Sequence, residues 1–224
     1  MATYVINVDI DKSWVPKFNK SKTKLCFAHG VLDSSSDDTG LSFNVVGTAR
    51  DVLQNVSLTW TDEYAIAGGK QSFSAGTKIE ATTDPEKIEF KQSVTLNESY
   101  LLDPAKPDPK LGEGVFAFVN KVTASVYLYK KIVNDKGASV SAPFYISKDG
   151  PNPPGHSQLT PKPVTRLFFA KHYESGTMVE DFQSEYIDID LTNKTSAAVK
   201  YNADGHWIPS PNADAEKDVN AEKE

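Results

Sequence analysis

Thr3-Tyr4-Val5-Ile6-Asn7-Val8-Asp9-Ile10 carries apolar side chains at positions 4, 6, 8 and 10, with Asn7 and Asp9 between them. Successive side chains of an extended chain point to opposite faces, so a two-residue period describes a strand with one dry and one wet face, whereas an amphipathic helix repeats at three and four. Val5 is the one departure. The same period, filled with β-branched and aromatic residues, recurs at 24–29, 41–46, 56–66, 78–82, 87–96, 115–119, 124–132, 139–146, 164–169, 185–191 and 197–201. Many short strands at regular spacing, broken by turn residues, predict a sandwich or barrel. The expected fold is therefore all-β, an antiparallel β-sandwich arranged as one large sandwich or as two immunoglobulin-like lobes.

The punctuation between the strands carries its own chemistry. Gly68-Gly69, Asn134-Asp135-Lys136-Gly137 and Asp204-Gly205 offer residues that tolerate positive φ and are read as turns, the first two as hairpins. No stretch has the apolar stripe of an amphipathic helix, and 48–56 allows at most one short helical turn. Two proline-rich passages, DPAKPDPKLGE at 103–113 and DGPNPPGHSQLTPKP at 149–163, remove backbone donors and hold φ, so both are read as loops or stiff linkers. They suggest an N-terminal lobe over 1–105 and a C-terminal lobe over 106–208. An echo between Leu25-Cys26-Phe27-Ala28-His29 and Leu167-Phe168-Phe169-Ala170-Lys171-His172 fits a duplicated lobe. Residues 209–224, PSPNADAEKDVNAEKE, hold five acids against two lysines, too little apolar surface to offset ordering entropy, and are expected to form a disordered acidic tail.

Composition excludes several classes. The chain has 224 residues and a net charge of −6, and nucleic-acid binding depends on neutralising phosphates with Lys and Arg, so no nucleic-acid partner is expected. No apolar run reaches the roughly 20 residues of a transmembrane helix, and no signal peptide follows Met1. The single cysteine, Cys26, has no intrachain partner, which points to a reducing, cytoplasmic setting. Ala67-Gly68-Gly69-Lys70 lacks the spacing of a phosphate-binding loop, and no Gly-x-Ser-x-Gly is present. His29, His156, His172 and His206 show no metal-ligand spacing, so neither a metal site nor a cofactor is expected. Asp188 and Asp190 share a strand face and are read as its solvated side.

One cluster points to chemistry. In Leu58-Thr59-Trp60-Thr61-Asp62-Glu63-Tyr64, alternation sets Trp60, Asp62 and Tyr64 on one face. A flat ring covers the apolar face of a pyranose while a carboxylate accepts from adjacent hydroxyls, so the triplet is read as a lectin-like sugar surface. His172-Tyr173 and His206-Trp207 repeat the residue types and are read as a second surface. The expected function is non-enzymatic carbohydrate binding, its partner a glycan or other small ligand. Two alternatives are a structural, self-assembling protein that forms a homo-oligomer, and a small enzyme or isomerase with a proton-shuttling histidine in an apolar pocket between sheets. Solvent exposure of Trp60 and Trp207 discriminates among them, because a stacking platform needs an open ring face; with both buried, the platform argument falls and the architectural reading is left.

Overall fold

The computed structural model describes residues 2–36, 40–134 and 137–210. The elements in chain order are β1 (Thr3–Ile10), a short helix α1 (Val15–Lys20), β2 (Thr23–Asp33), β3 (Thr48–Asp51), β4 (Asn55–Gly69), β5 (Glu86–Ile88), β6 (Gln92–Leu96), β7 (Lys106–Pro107), β8 (Phe116–Asn120), β9 (Ser125–Val133), β10 (Ser139–Ile146), β11 (Gly155–Lys171), β12 (Tyr186–Asp190), β13 (Ser196–Tyr201) and β14 (Trp207–Pro209). The strands form two sheets of seven. The first runs β10-β9-β4-β1-β13-β14 with β5 also on β4, and the second runs β3-β2-β11-β8-β6-β7 with β12 also on β11.

The two-residue period explains the packing. Ile6, Val8 and Ile10 of β1 are buried together with Leu25 and Phe27 of β2 and Leu167 and Phe169 of β11, so the inward faces of both sheets meet in one apolar layer. Most neighbours run antiparallel, as expected, but β1 lies parallel to β13 and β6 parallel to β8, which makes both sheets mixed. Parallel pairing needs a long connection and leaves no signature in the polarity pattern of either strand.

Each sheet draws on both halves of the chain: β1 pairs with β13, β4 with β9, and β2 with β11. Residues 1–105 and 106–208 thus share both sheets, and the strand pairing follows the one-sandwich form of the expectation. The proline-rich passage at 149–163 is no linker beyond Pro154, because β11 starts at Gly155 and runs through Pro161 and Pro163. Nor do Gly68 and Gly69 form a turn. They end β4, opposite Val126 and Ser125 of β9. A Cβ on Gly68 would meet Leu96 at 2.9 Å and one on Gly69 would meet Tyr127 at 2.7 Å, so these glycines serve close packing.

The remaining punctuation behaves as read. Gly137 has φ 75° and donates its N–H to the Asn134 carbonyl, closing the β9–β10 connection, although Asp135 and Lys136 of that turn lie outside the described residues. Gly205, with φ 87°, turns β13 into β14. Four short elements escaped the polarity pattern: β3, where a helical turn was allowed, β7, which pairs with β6 inside the proline-rich passage read as a loop, then α1 and β14. α1 is only six residues long and takes Pro16 in its first turn, where a missing N–H costs nothing. β14 corrects the tail boundary: Pro209 pairs with Val199, and the Ser210 N–H donates to the Ala198 carbonyl at 3.0 Å. Residues 211–224 of the expected tail lie outside the described residues.

Candidate functional site

In β9 the residues Val126, Leu128 and Ile132 face inward, 0–4% exposed, and the same parity sends Lys130 into the interior, where it is 2% exposed. A lysine there is costly, because burial strips water from the ammonium. The room it occupies comes from irregularities in three strands. On β4, Thr61 pairs with Lys131 and Tyr64 with Lys130, so Asp62 and Glu63 are inserted without partners on β9. On β11, Pro161 pairs with Val31 and Thr165 with His29, again two residues more than the partner strand spends. Prolines cannot donate to a ladder, which accounts for the break at Pro161-Lys162-Pro163. On β10, Phe144 is the extra residue of a bulge between Pro143 and Tyr145.

The breaks in β4 and β11 open onto one cleft of about 260 Å³ between the sheets. Tyr4, Trp60, Asp62 and Tyr64 line it from one sheet, Pro161 and Lys162 from the other, with Lys130 between them. Phe90, 38% exposed, stands at the mouth and also lines an adjoining hollow of about 500 Å³ along β5.

The Lys130 Nζ lies 5.4 Å from the ring centres of Trp60 and Tyr64 and 5.3 Å from that of Phe144, within the range of cation–π attraction. It makes no hydrogen bond or ion pair among the described residues, and it is not one of the fully enclosed polar atoms, so the ammonium keeps a narrow opening onto the cleft. Burial pulls its pKa down to about 8, with the Asp62 charge opposing. The Tyr64 hydroxyl donates to Asp62 at 3.0 Å, and burial first and Asp62 second raise the pKa of both Tyr64 and Tyr4, so both stay protonated as phenols. Behind the cleft, His29 sits edge-on to Trp60 at 5.0 Å with Nδ1 3.0 Å from Thr165 Oγ1. Its Nε2 is buried without a partner, and burial, then Lys130, depress its pKa, so the imidazole is neutral. His29 does not line the cleft. The cleft is lined by two acidic residues, Asp62 and Glu113, two lysines, Lys130 and Lys162, two tyrosines and aromatic walls.

No protein-family model, curated protein or solved structure matches the chain.

The residues singled out from sequence separate into distinct places. Trp60, Asp62 and Tyr64 do come together. The open indole faces expected of a stacking platform are absent, however, because Trp60 is 1% and Trp207 8% exposed. Both lie on inward parity, where aromatic area is worth more against the core than in water. Trp60 is a wall of the ammonium cage and is stacked with Tyr4 at 5.5 Å. His172 and Tyr173 line a second groove of about 500 Å³ with Phe18, Asp181 and Phe182. His206 and Trp207 do not line it. Trp207 stacks on Phe169, one of its walls, at 5.1 Å and donates its indole N–H to the Glu185 carbonyl, while His206 faces the Glu185 carboxylate at 3.2 Å. The two grooves share no lining residue.

Sequence reasoning missed Lys130, Tyr4 and Phe90. For Lys130 a signal existed: within Val126-Tyr127-Leu128-Tyr129-Lys130-Lys131-Ile132 it takes the parity of the apolar residues. A charge at an inward strand position is costly to stability and points to a site. Cys26, in contrast, is wholly buried, and burial pushes its thiol up to about 12, as expected of a packed side chain.

Proposed function

We propose that the protein is a non-enzymatic, lectin-like sandwich that takes a small carbohydrate into the cleft between its sheets. The observation that carries this reading is the pairing of Asp62 with the Tyr64 hydroxyl inside a walled cleft. A carboxylate already holding a phenol retains lone pairs for vicinal hydroxyls, and bonds to a charged acceptor are the stronger kind. The exposed edge of Phe90, against which Tyr64 packs at 5.5 Å, supplies apolar surface for the sugar's C–H face, the role that the buried Trp60 does not fill. At about 260 Å³ the cleft lies below the roughly 300–1,000 Å³ of drug-sized sites, which suits one ring and not a chain of them. A cytoplasmic setting, and with it an intracellular sugar or glycan, belongs to the same proposal; the lone, buried Cys26 is compatible with it.

A glycan array followed by titration of tryptophan fluorescence tests this. Trp60 on the cleft wall should report occupancy. Asp62→Asn should weaken the sugar by about 1–2 kcal/mol, on the order of tenfold, because it exchanges a charged acceptor for a neutral one. Silence towards every glycan would reject the reading.

A further inference from the structure

We propose that the ligand of this cleft is an acidic sugar, a ring bearing a carboxylate of the uronate kind, whose carboxylate pairs with Lys130 while its hydroxyls bond Asp62; the proposal rests on the carbohydrate reading above.

The argument starts from an unmet requirement. An ammonium removed from water needs a counter-charge and hydrogen-bond acceptors, and a lysine carries three donors and no acceptor. Lys130 is 2% exposed, and among the described residues its Nζ has neither a hydrogen bond nor an ion pair. The three rings around it offer quadrupole attraction only, which is directionless compared with a hydrogen bond and leaves the N–H donors to whatever enters the cleft. The groups facing it from the packed elements do not close the gap. From β4, Asp62 lies beyond ion-pair distance and accepts from Tyr64. From β1 and β4 come the protonated phenols of Tyr4 and Tyr64, and from β2 the neutral His29, bonded to Thr165 of β11. At the mouth, Glu113 is paired with Lys91.

Across the cleft stands a second cation. Lys162, in the register break of β11, lines the same space and has no ion pair among the described residues. Two lysines without an ion pair among the described residues, one buried and one half-buried at the wall, therefore line a space in which the Asp62 carboxylate is set towards the phenols. An anion seated between Lys130 and Lys162 would receive charge-assisted bonds from both. A simple anion would leave Asp62 unused and within reach of repulsion. A ring that carries hydroxyls next to its carboxylate satisfies both signs at once, with hydroxyl hydrogens turned towards Asp62 and carboxylate oxygens towards the lysines.

Isothermal titration of the full chain at low ionic strength, with neutral aldohexoses, the hexuronates that match them, and acetate, tests the proposal. The expected result is that at least one hexuronate binds about tenfold or more tightly than its parent hexose and than acetate. In Lys130→Met the ratio of uronate to hexose affinity should fall to about one, with an unchanged far-ultraviolet circular dichroism spectrum showing that the variant folds. Lys162→Met, at the wall and only half-buried, should lower the same ratio by a smaller factor. Equal affinity for hexose and uronate would overturn this inference and leave the carbohydrate reading standing. Acetate binding as tightly as the uronates would also overturn it, since the ring would then contribute nothing. Binding of neither sugar class would reject both.

Discussion

Lys130 is where stability and binding pull apart. Its pKa falls from the usual 10.5 to about 8 because burial disfavours the charged form. Folding therefore costs most below pH 8, where the side chain is charged in both states, and the cost is relieved as pH rises from about 8 towards 10.5, where only the unfolded chain still binds the proton. Replacing it with Met keeps the length and removes the charge. Lys130→Met should be more stable than the parent by roughly 2–3 kcal/mol at pH 7, and that advantage should shrink by about 2 kcal/mol by pH 9.5. Cys26, whose thiol is pushed up to about 12, loses stability as pH rises, but it is present in both chains and cancels in the difference. Urea denaturation of both proteins at the two pH values measures this. A Met variant no more stable than the parent at pH 7 would mean that the three rings compensate the ammonium in full. A residue that weakens the fold and lines a cleft is kept for something other than packing.

At the scale of the strand, the two insertions that open the cleft share one property: each adds two residues. Because side chains alternate with a period of two, Asp62-Glu63 can be inserted without moving any later residue of β4 to the wrong face, and both Trp60 and Tyr64 stay inward. Removing Glu63 alone should turn Tyr64 and Ile66 out of the core and cost roughly 3–6 kcal/mol in a denaturant titration. Removing Asp62 and Glu63 together should cost less, restore a regular β4–β9 ladder and abolish ligand binding. A double deletion as damaging as the single one would show that parity is not what the insertion protects.

The same property sets the limit of what was legible beforehand. Polarity alternation placed β1 at Thr3–Ile10 and β10 at Ser139–Ile146 residue for residue. A parity-conserving insertion, in contrast, leaves the alternation intact, so Asp62 was visible as a polar residue among aromatics but the break around it was not. In β11, of which 164–169 was legible as a strand, the two prolines of the break hid the first part, from Gly155 to Pro163, behind the composition of a linker. Trp60, Asp62 and Tyr64 were found because they share one strand, whereas Lys130 and Lys162 join them only through strand pairing and sheet packing.

At the scale of the molecule, the order of strands argues for one cooperative unit. The two longest strands, β4 and β11, each hold neighbours from the other half of the chain: β9 beside β4, β2 beside β11. β1, near one end of the described chain, lies between β4 and β13, near the other. A cut near residue 105 strips β1 of β13, β4 of β9 and β2 of β11, and leaves Leu58, Trp60, Leu25 and Phe27, all at most 1% exposed in the whole chain, facing water. Residues 1–105 expressed alone should therefore give a disordered circular dichroism spectrum, and the full chain should unfold in one transition, with tryptophan fluorescence and far-ultraviolet dichroism coinciding. Two separated transitions, or a folded fragment, would restore the two-lobe arrangement. The parallel β1–β13 pair adds a kinetic expectation. Its closure spans nearly the whole described chain, and non-local pairings must offset loop entropy before they stabilise anything, so refolding belongs in the millisecond-to-second range of β-sandwiches. Since β1 also carries Tyr4 to the cleft, the ligand site should be complete only after that pair has closed, and in stopped-flow refolding ligand-induced quenching of Trp60 should develop no earlier than the last folding phase.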